Sequence, residues 1–195
     1  MNYVRYGLAW FLFVCLPPAI LYWFAIHPFA AAGRRIGPGA GLAAGLATLF
    51  ASAVPLAILA PRFLVTEYGF SWPLALVGLA LEAGAIAIQR ARRKYLTMRV
   101  LMGVPELSRD PAESRLFSEG IYGHIRHPRY VEIVLAILGY ALIANYRTGY
   151  AVVAVSILGI WIVVEMEERE LHQRFGKAWE EYAARTPRFL PRRRR

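Results

Sequence analysis

Residues 130–164 read YVEIVLAILGYALIANYRTGYAVVAVSILGIWIVV and contain two apolar runs with a short polar stretch between them. The runs are residues 130–145 and 150–164, and the Asn and Gly of residues 145–149 favour a tight turn. A helix over the first run would be about 24 Å long, somewhat short of the roughly 30 Å hydrocarbon core of a bilayer. The stretch therefore predicts an antiparallel helical hairpin in a membrane.

Three further apolar runs precede the hairpin, at residues 6–30, 37–60 and 71–89. Of the 195 residues, 57% are hydrophobic and only 18% are charged, whereas a soluble domain averages about 25% charged. A soluble protein of this size could not bury so much apolar surface. We therefore predict an all-α fold: a polytopic membrane helical bundle of about five transmembrane helices, ending in the hairpin and followed by a cytoplasmic C-terminal helix.

The basic residues predict how the bundle is oriented and what surrounds it. The net charge is +10, and Lys and Arg cluster at residues 34–35, 90–94 and 192–195. With five spanning helices all three clusters lie on one side, which the positive-inside rule makes cytoplasmic. Anionic lipid headgroups explain such clusters better than nucleic acid does. We expect a multi-pass protein of a bacterial inner membrane, with a cytoplasmic C-terminus and membrane lipids as partners.

Residues 120–130, GIYGHIRHPRY, lie where the polar segment meets the fourth apolar run. Pro128 costs no hydrogen bond in the first turn of a helix, and the helix N-terminus offers free N–H groups. With Arg126 and His127 as further donors, this end could hold a carboxylate or a phosphate. A belt of aromatic and basic residues at the membrane interface explains the same pattern equally well.

A second polar stretch, residues 165–171, follows the fifth apolar run and reads EMEEREL. Its carboxylates could bind ribose hydroxyls or an ammonium group. From the residues alone, the stronger interpretation is the solvated first turn of a cytoplasmic helix, where acidic residues are favoured. The single cysteine, Cys15, lies in an apolar run, and the sequence shows no Cys/His spacing of a metal site.

Five motifs in the last 80 or so residues resemble the isoprenylcysteine carboxyl methyltransferases and their phospholipid methyltransferase relatives. The first 100 residues match these enzymes only in being apolar helices. In chain order the motifs are Gly120-x-Tyr122, Arg126-His127-Pro128-x-Tyr130, Glu167-Glu168-x-x-Leu171, Phe175-Gly176-x-x-Trp179-x-x-Tyr182 and Pro187-Arg188-Phe189-Leu190-Pro191.

The resemblance implies a membrane enzyme that transfers a methyl group from S-adenosylmethionine to a lipid or small hydrophobic acceptor. The chain length predicts one domain, 1–195, with three transmembrane helices in residues 1–90, and the resemblance implies that residues 91–195 form a cofactor-binding core. The cofactor-binding residues it implies are Ser114, Arg115, Leu116, Phe117, Tyr122, His127, Pro128, Arg129, Tyr130 and Glu167. Related enzymes often carry a histidine where this chain has Ser114.

Methyl transfer from a sulfonium needs an acceptor held in line and water kept out, so we expect no catalytic triad. The resemblance implies that Arg126 steadies an anionic group. Glu132 is a candidate for orienting the acceptor, and the alternative is an interfacial carboxylate paired with Arg126 or Arg129. For Glu82, midway along the third run, we favour a structural partner of Arg90 or a neutral carboxyl.

The position of Val163 bears on the acceptor. Related enzymes that methylate a prenylcysteine carboxylate carry an arginine there, four residues before the cofactor glutamate, and an arginine fork suits a carboxylate. Valine cannot do this, and Glu132 would repel an anion, so we expect a lipid amine or a neutral hydrophobic acceptor. The open alternatives are an NADPH-dependent membrane reductase similar to the sterol reductases and a non-catalytic protein of this fold. The tail motifs favour the methyltransferase.

Overall fold

The computed structural model describes residues 2–26, 38–95 and 116–191. These ranges contain helices and no strand, which confirms the predicted all-α bundle. The helices are α1 (Asn2–Ile26), α2 (Pro38–Phe63), α3 (Trp72–Arg92), a 3₁₀ helix (Gly120–Gly123), α4 (Pro128–Ala144), α5 (Arg147–Phe175) and α6 (Lys177–Arg185).

Four of these helices, α1, α2, α3 and α5, are long and apolar enough to cross a membrane. The remaining helix of the five predicted to span is α4, which has 17 residues. At 1.5 Å per residue its length is about 26 Å, which is less than the roughly 30 Å of a hydrocarbon core. The described part of the chain therefore holds four full-length spans and one shorter apolar helix beside them.

The predicted hairpin turn is present and is tighter than the sequence suggested. Only Asn145 and Tyr146 separate α4 from α5. Asn145 has the left-handed backbone, φ 56° and ψ 50°, that ends a helix, a conformation asparagine tolerates better than most residues. Its side chain donates to Gly69 O at 2.9 Å and accepts from the Tyr150 hydroxyl at 2.9 Å, so the turn is held on both sides.

Helix α5 runs 29 residues without a break, from Arg147 to Phe175. At 1.5 Å per residue this is about 44 Å, well beyond the membrane core. The acidic stretch of residues 165–171 therefore lies in the second half of a continuous helix. The interpretation of these acids as the first turn of a new helix is wrong, and a favourable helix N-terminus does not explain them.

Helices α3 and α4 approach each other closely at a pair of glycines. A Cβ on Gly78 would lie 2.8 Å from Gly139 O, and a Cβ on Gly139 would lie 2.6 Å from Glu82 Oε1. Glycine at both positions therefore permits this crossing. Glu82 Oε1 is buried at the contact with no hydrogen-bond partner in the described part of the chain, so the predicted pairing with Arg90 is not formed there.

The two ends of the bundle differ in what they hold. At one end the buried Arg5 of α1 donates to Ala144 O at 3.0 Å and pairs with Glu67 at 3.3 Å, beside the hairpin turn. The core between the ends is formed by α1, α4 and α5, including Leu12, Ile137, Val153, Ile160 and Val163. The opposite end contains the start of α4 and the polar half of α5, and the residues singled out by the sequence lie there.

Candidate functional site

The chain enters α4 through a 3₁₀ helix, Gly120–Gly123, and a short loop. His127 is the residue before the helix, and Pro128, fully buried, is the first helical residue. Proline suits this position because its missing N–H would have had no partner and its φ is already helical. The local sequence therefore fixes where α4 begins and where His127 and Arg129 are held.

An aromatic cluster covers the 3₁₀ helix. The rings of Tyr95, Phe117 and Tyr122 lie with their centroids 5.6–6.0 Å apart. Gly120 has φ +57°, and a Cβ there would lie 2.1 Å from the Tyr95 hydroxyl, so both the backbone conformation and the close ring favour glycine. Burial raises the pKa of Tyr122, and the nearby Glu167 carboxylate raises it further. Tyr122 is therefore a neutral phenol at physiological pH.

Glu168 is the centre of an ion-pair network that the sequence analysis did not assign. Its Oε1 lies 2.9 Å from His127 Nε2 and 3.1 Å from Arg126 Nη2. Its Oε2 accepts from Arg188 at 2.6 Å and 3.0 Å. Because an ionised carboxylate only accepts, His127 carries its proton on Nε2. The hydrogen bonds to Glu168 and Glu165 raise the pKa of Arg188.

The C-terminal segment is bonded to the loop before α4. The backbone N–H groups of Arg126 and His127 donate to Pro187 O at 2.8 Å and Arg188 O at 3.0 Å. Arg126 also donates to Ala183 O at 3.0 Å. These bonds join the Arg-His-Pro motif to the tail motif.

Helix α6 adds a further bond beneath this segment. The Tyr182 hydroxyl donates to Tyr122 O at 2.7 Å, and burial raises the pKa of Tyr182 to about 12. The Arg126 guanidinium lies over the Trp179 ring at 5.6 Å. Aromatic residues of α6 thus support both the 3₁₀ helix and the loop that follows it.

Glu132 forms a buried ion pair with Arg92, across the contact between α4 and the last turn of α3. Arg92 Nη2 lies 2.7 Å from Glu132 Oε1, and Arg92 Nε donates to Oε2. The alternative that paired Glu132 with Arg126 or Arg129 is therefore wrong; the guanidinium of Arg129 lies over the ring of Trp23 at 4.8 Å. Since Arg92 compensates the carboxylate, the argument that Glu132 repels an anionic acceptor no longer holds.

Several of the candidate cofactor residues come together at this end of the bundle. Phe117 contacts Tyr122, His127 contacts Tyr130 at 5.8 Å between ring centroids, and Glu167 acts electrostatically on Tyr122. The structure also places Leu116 here, half-buried, whereas Tyr130 is buried in the core. Ser114 and Arg115 lie outside the described residues.

Glu167 differs from its neighbours because one of its oxygens has no partner among the described residues. Its Oε2 is buried and makes no hydrogen bond within the described part of the chain. A buried acceptor left unpaired costs about 1–3 kcal/mol. The oxygen can therefore receive a hydroxyl or an ammonium donor from a bound molecule, which fits the role that the resemblance implied for this residue.

A family model for phospholipid methyltransferases matches residues 74–178, more than half of the chain. The chain belongs to the phospholipid methyltransferase family. Membership, together with four long apolar helices, makes it a methyltransferase and an integral membrane protein. No curated protein and no solved structure gave a significant match to the chain.

The extent of the match corrects the resemblance drawn from motifs. The match begins in α3 rather than near residue 116, so α3 belongs to the part of the chain that the phospholipid methyltransferases share. This agrees with the extensive packing of α3 on α4 and with the Arg92–Glu132 pair. The motif-based prediction left α3 out of the shared part because its apolar run carries no motif.

Proposed function

We propose that this phospholipid methyltransferase-family protein uses S-adenosylmethionine and methylates a lipid or a small hydrophobic acceptor at the membrane surface. The observation that carries the proposal is the buried Oε2 of Glu167, which has no partner among the described residues and belongs to a carboxylate that acts electrostatically on the phenol of Tyr122. S-adenosylmethionine has ribose hydroxyls and an ammonium group that could donate to such an oxygen.

When bound, S-adenosylmethionine would supply an electrophilic methyl group on a sulfonium. The chain's own residues would bind and orient the reactants and exclude water, since no proton needs to be relayed through a triad. Glu167 and Tyr122 would hold the cofactor's polar groups, and Phe117 would cover it. His127, fixed by Glu168 and by Arg188 O, would keep the start of α4 in place.

We further propose that the end of the bundle holding this site faces the cytoplasm of a bacterium. The cluster at residues 90–94 lies at this end, and the positive-inside rule assigns such clusters to the cytoplasmic side. The turn at Asn145 would then face outward. Labelling of single cysteines at exposed Lys177 and exposed Arg147, in a Cys15→Ser background, tests the orientation; modification of Lys177→Cys from outside would refute it.

The acceptor we propose is neutral or cationic, such as a lipid amine. Support now comes from Val163 alone: this side chain is buried in the core and offers no charge to a carboxylate. The family match and the tail motif both argue against an NADPH-dependent reductase. A radiolabelled transfer assay offering a farnesylcysteine analogue beside bacterial lipid extract tests the acceptor, and efficient methylation of the analogue would overturn this part of the proposal.

Calorimetry on detergent-purified protein tests cofactor use. We expect saturable binding of S-adenosylmethionine and of S-adenosylhomocysteine. Glu167→Gln should weaken binding about tenfold to a hundredfold, because a hydrogen bond to a charged group is worth roughly 1.5–3 kcal/mol. Glu181→Gln, an exposed glutamate on α6, is the matched control and should bind as the unmodified protein does. Saturable NADPH binding with no response to either sulfur compound would sink the proposal.

A further inference from the structure

The basic residues at the end of α3 fall into two groups, one buried and one exposed. Arg92 turns inward, where it is 7% exposed and paired with Glu132. Arg90, Arg93 and Lys94 are exposed, and within the described ranges none of the three has an acidic partner. The three outward cations are therefore available to an anion from outside the protein.

The three cations border an open cleft of about 670 Å³, together with Ala91, Gly120 and Ile121. Clefts of about 300–1,000 Å³ are the size that holds small ligands. Lys94 lies over the ring of Tyr95 at 5.0 Å, which limits where its ammonium can go. The cleft thus offers two guanidinium groups and one ammonium group next to the apolar side chains of Ala91 and Ile121. These groups suit a phosphate that carries an apolar substituent.

An exposed apolar face of α3 leads to the cleft. Leu79, Ile86 and Arg93 follow at seven-residue spacing, so they lie on one face of α3, and Arg90 follows Ile86 by four residues on that face. Leu79 is 58% exposed and Ile86 is 45% exposed, although α3 is apolar enough to span a membrane. This face therefore exposes the apolar side chains of Leu79 and Ile86 and ends in the arginines that border the cleft.

We propose that this cleft binds the phosphate headgroup of an anionic membrane phospholipid, with its acyl chains along the Leu79–Ile86 face. Anionic lipid is favoured over a zwitterionic one because the site presents three positive charges and no compensating acid in the described part of the chain. The inference does not depend on methyl transfer or on S-adenosylmethionine, because Arg90, Arg93 and Lys94 are not among the residues assigned to the cofactor.

Native mass spectrometry of the detergent-purified full chain, titrated with dioleoylphosphatidylglycerol in mixed micelles, measures the proposed binding. Each basic residue near an anionic surface contributes about fivefold in affinity, so Arg90→Gln and Arg93→Gln should each weaken binding by about that factor. The triple variant with Lys94→Gln should lose roughly a hundredfold. All three residues are exposed, so the single variants should melt as the unmodified protein does.

A charge-matched triple variant controls for net charge. Arg169, Lys177 and Arg185 are exposed residues of α5 and α6 away from the cleft, and their replacement by Gln removes the same charge. This control should retain phosphatidylglycerol binding. Equal loss in the control, or unchanged binding in the Arg90/Arg93/Lys94 variant, would overturn the proposal. So would equally strong binding of dioleoylglycerol, which lacks phosphate, or full displacement of the lipid by an equal concentration of inorganic phosphate.

Discussion

Glu167 and Glu168 are adjacent on α5, but the two carboxylates meet opposite surroundings. Glu168 contacts Arg126, His127 and Arg188, and these contacts fasten the tail to the start of α4. Glu167 has a buried oxygen that no described residue satisfies. At this end of the bundle, the glutamate whose partners come from the protein holds the scaffold, and the one with an unsatisfied buried oxygen is the candidate for binding a ligand. Glu132, fully paired with Arg92, belongs with Glu168 in this comparison.

The largest loss of stability is expected from removing one member of the buried ion pair between Glu132 and Arg92. Removing one partner of a buried ion pair costs about 3–5 kcal/mol, because the other charge stays buried and uncompensated. Arg92→Ala should therefore lower the melting temperature strongly, as measured by tryptophan fluorescence in detergent. Replacement of both residues, Arg92→Met with Glu132→Leu, should recover most of the loss.

The double replacement also decides what Glu132 does. If Glu132 only holds the scaffold, the doubly substituted protein regains methyl transfer together with stability. If the doubly substituted protein regains stability but stays inactive, Glu132 orients the acceptor, and its role is functional like the one proposed for Glu167.

Glu168→Gln should cause the next largest loss of stability. The substitution removes a charge bonded by three side chains, and each hydrogen bond to a charged group is worth roughly 1.5–3 kcal/mol. Glutamine can still accept part of this network, so we expect a loss of about 2–3 kcal/mol in the free energy of unfolding. Limited trypsin digestion should cut faster after Arg185 and Arg188. Glu180→Gln, which affects only an exposed contact with His172, is the control.

Glu167→Gln should change stability by no more than about 0.5 kcal/mol, since it breaks no bond within the described protein. Its melting temperature should match that of the unmodified protein while its affinity for S-adenosylhomocysteine falls. A drop in melting temperature equal to that of Glu168→Gln would show that the two glutamates do not differ as described.

Tyr182→Phe is expected to lower stability at neutral pH by less than Glu168→Gln does. It removes one hydrogen bond, to Tyr122 O, worth about 1 kcal/mol. The pKa of Tyr182 is raised by burial to about 12 in the folded protein, from an ordinary value of 10.0. Its contribution to stability is therefore fully present below pH 10 and is lost as the pH rises towards 12. Between pH 10 and 12 the variant should lose less stability than the unmodified protein does. If the free energy of unfolding fell equally with pH in both proteins, the raised pKa could not belong to Tyr182.

The two ends of α4 could be predicted because their signals are local. Pro128 predicts the start of a helix, and the Asn and Gly beyond residue 144 predict the turn; the structure has both. The helical bundle followed from composition in the same way. The acidic stretch was misplaced because no residue between 147 and 175 marks a helix end, so a continuous α5 should have been preferred to a new N-terminus.

The pairing of charges could not be predicted, because it depends on how the helices rotate and cross. Arg92 and Glu132 are 40 residues apart, and the Gly78–Gly139 crossing decides that they face each other. The same limit applies to Glu168 and Arg188. The Glu-Glu motif marked both glutamates, but only the packed structure distinguishes the bonded one from the one left open.

The backbone bonds from Arg126 and His127 to Pro187 and Arg188 impose an order on biosynthesis. The tail segment that bonds to this loop begins at Pro187, 61 residues after Arg126. At about 5–20 residues per second, a ribosome needs roughly 3–12 s to produce it. During that interval α4 can already be inserted while His127 and Arg126 lack their final partners. The bonds between this loop and the tail therefore form only after both helices of the hairpin, α4 and α5, have been synthesised.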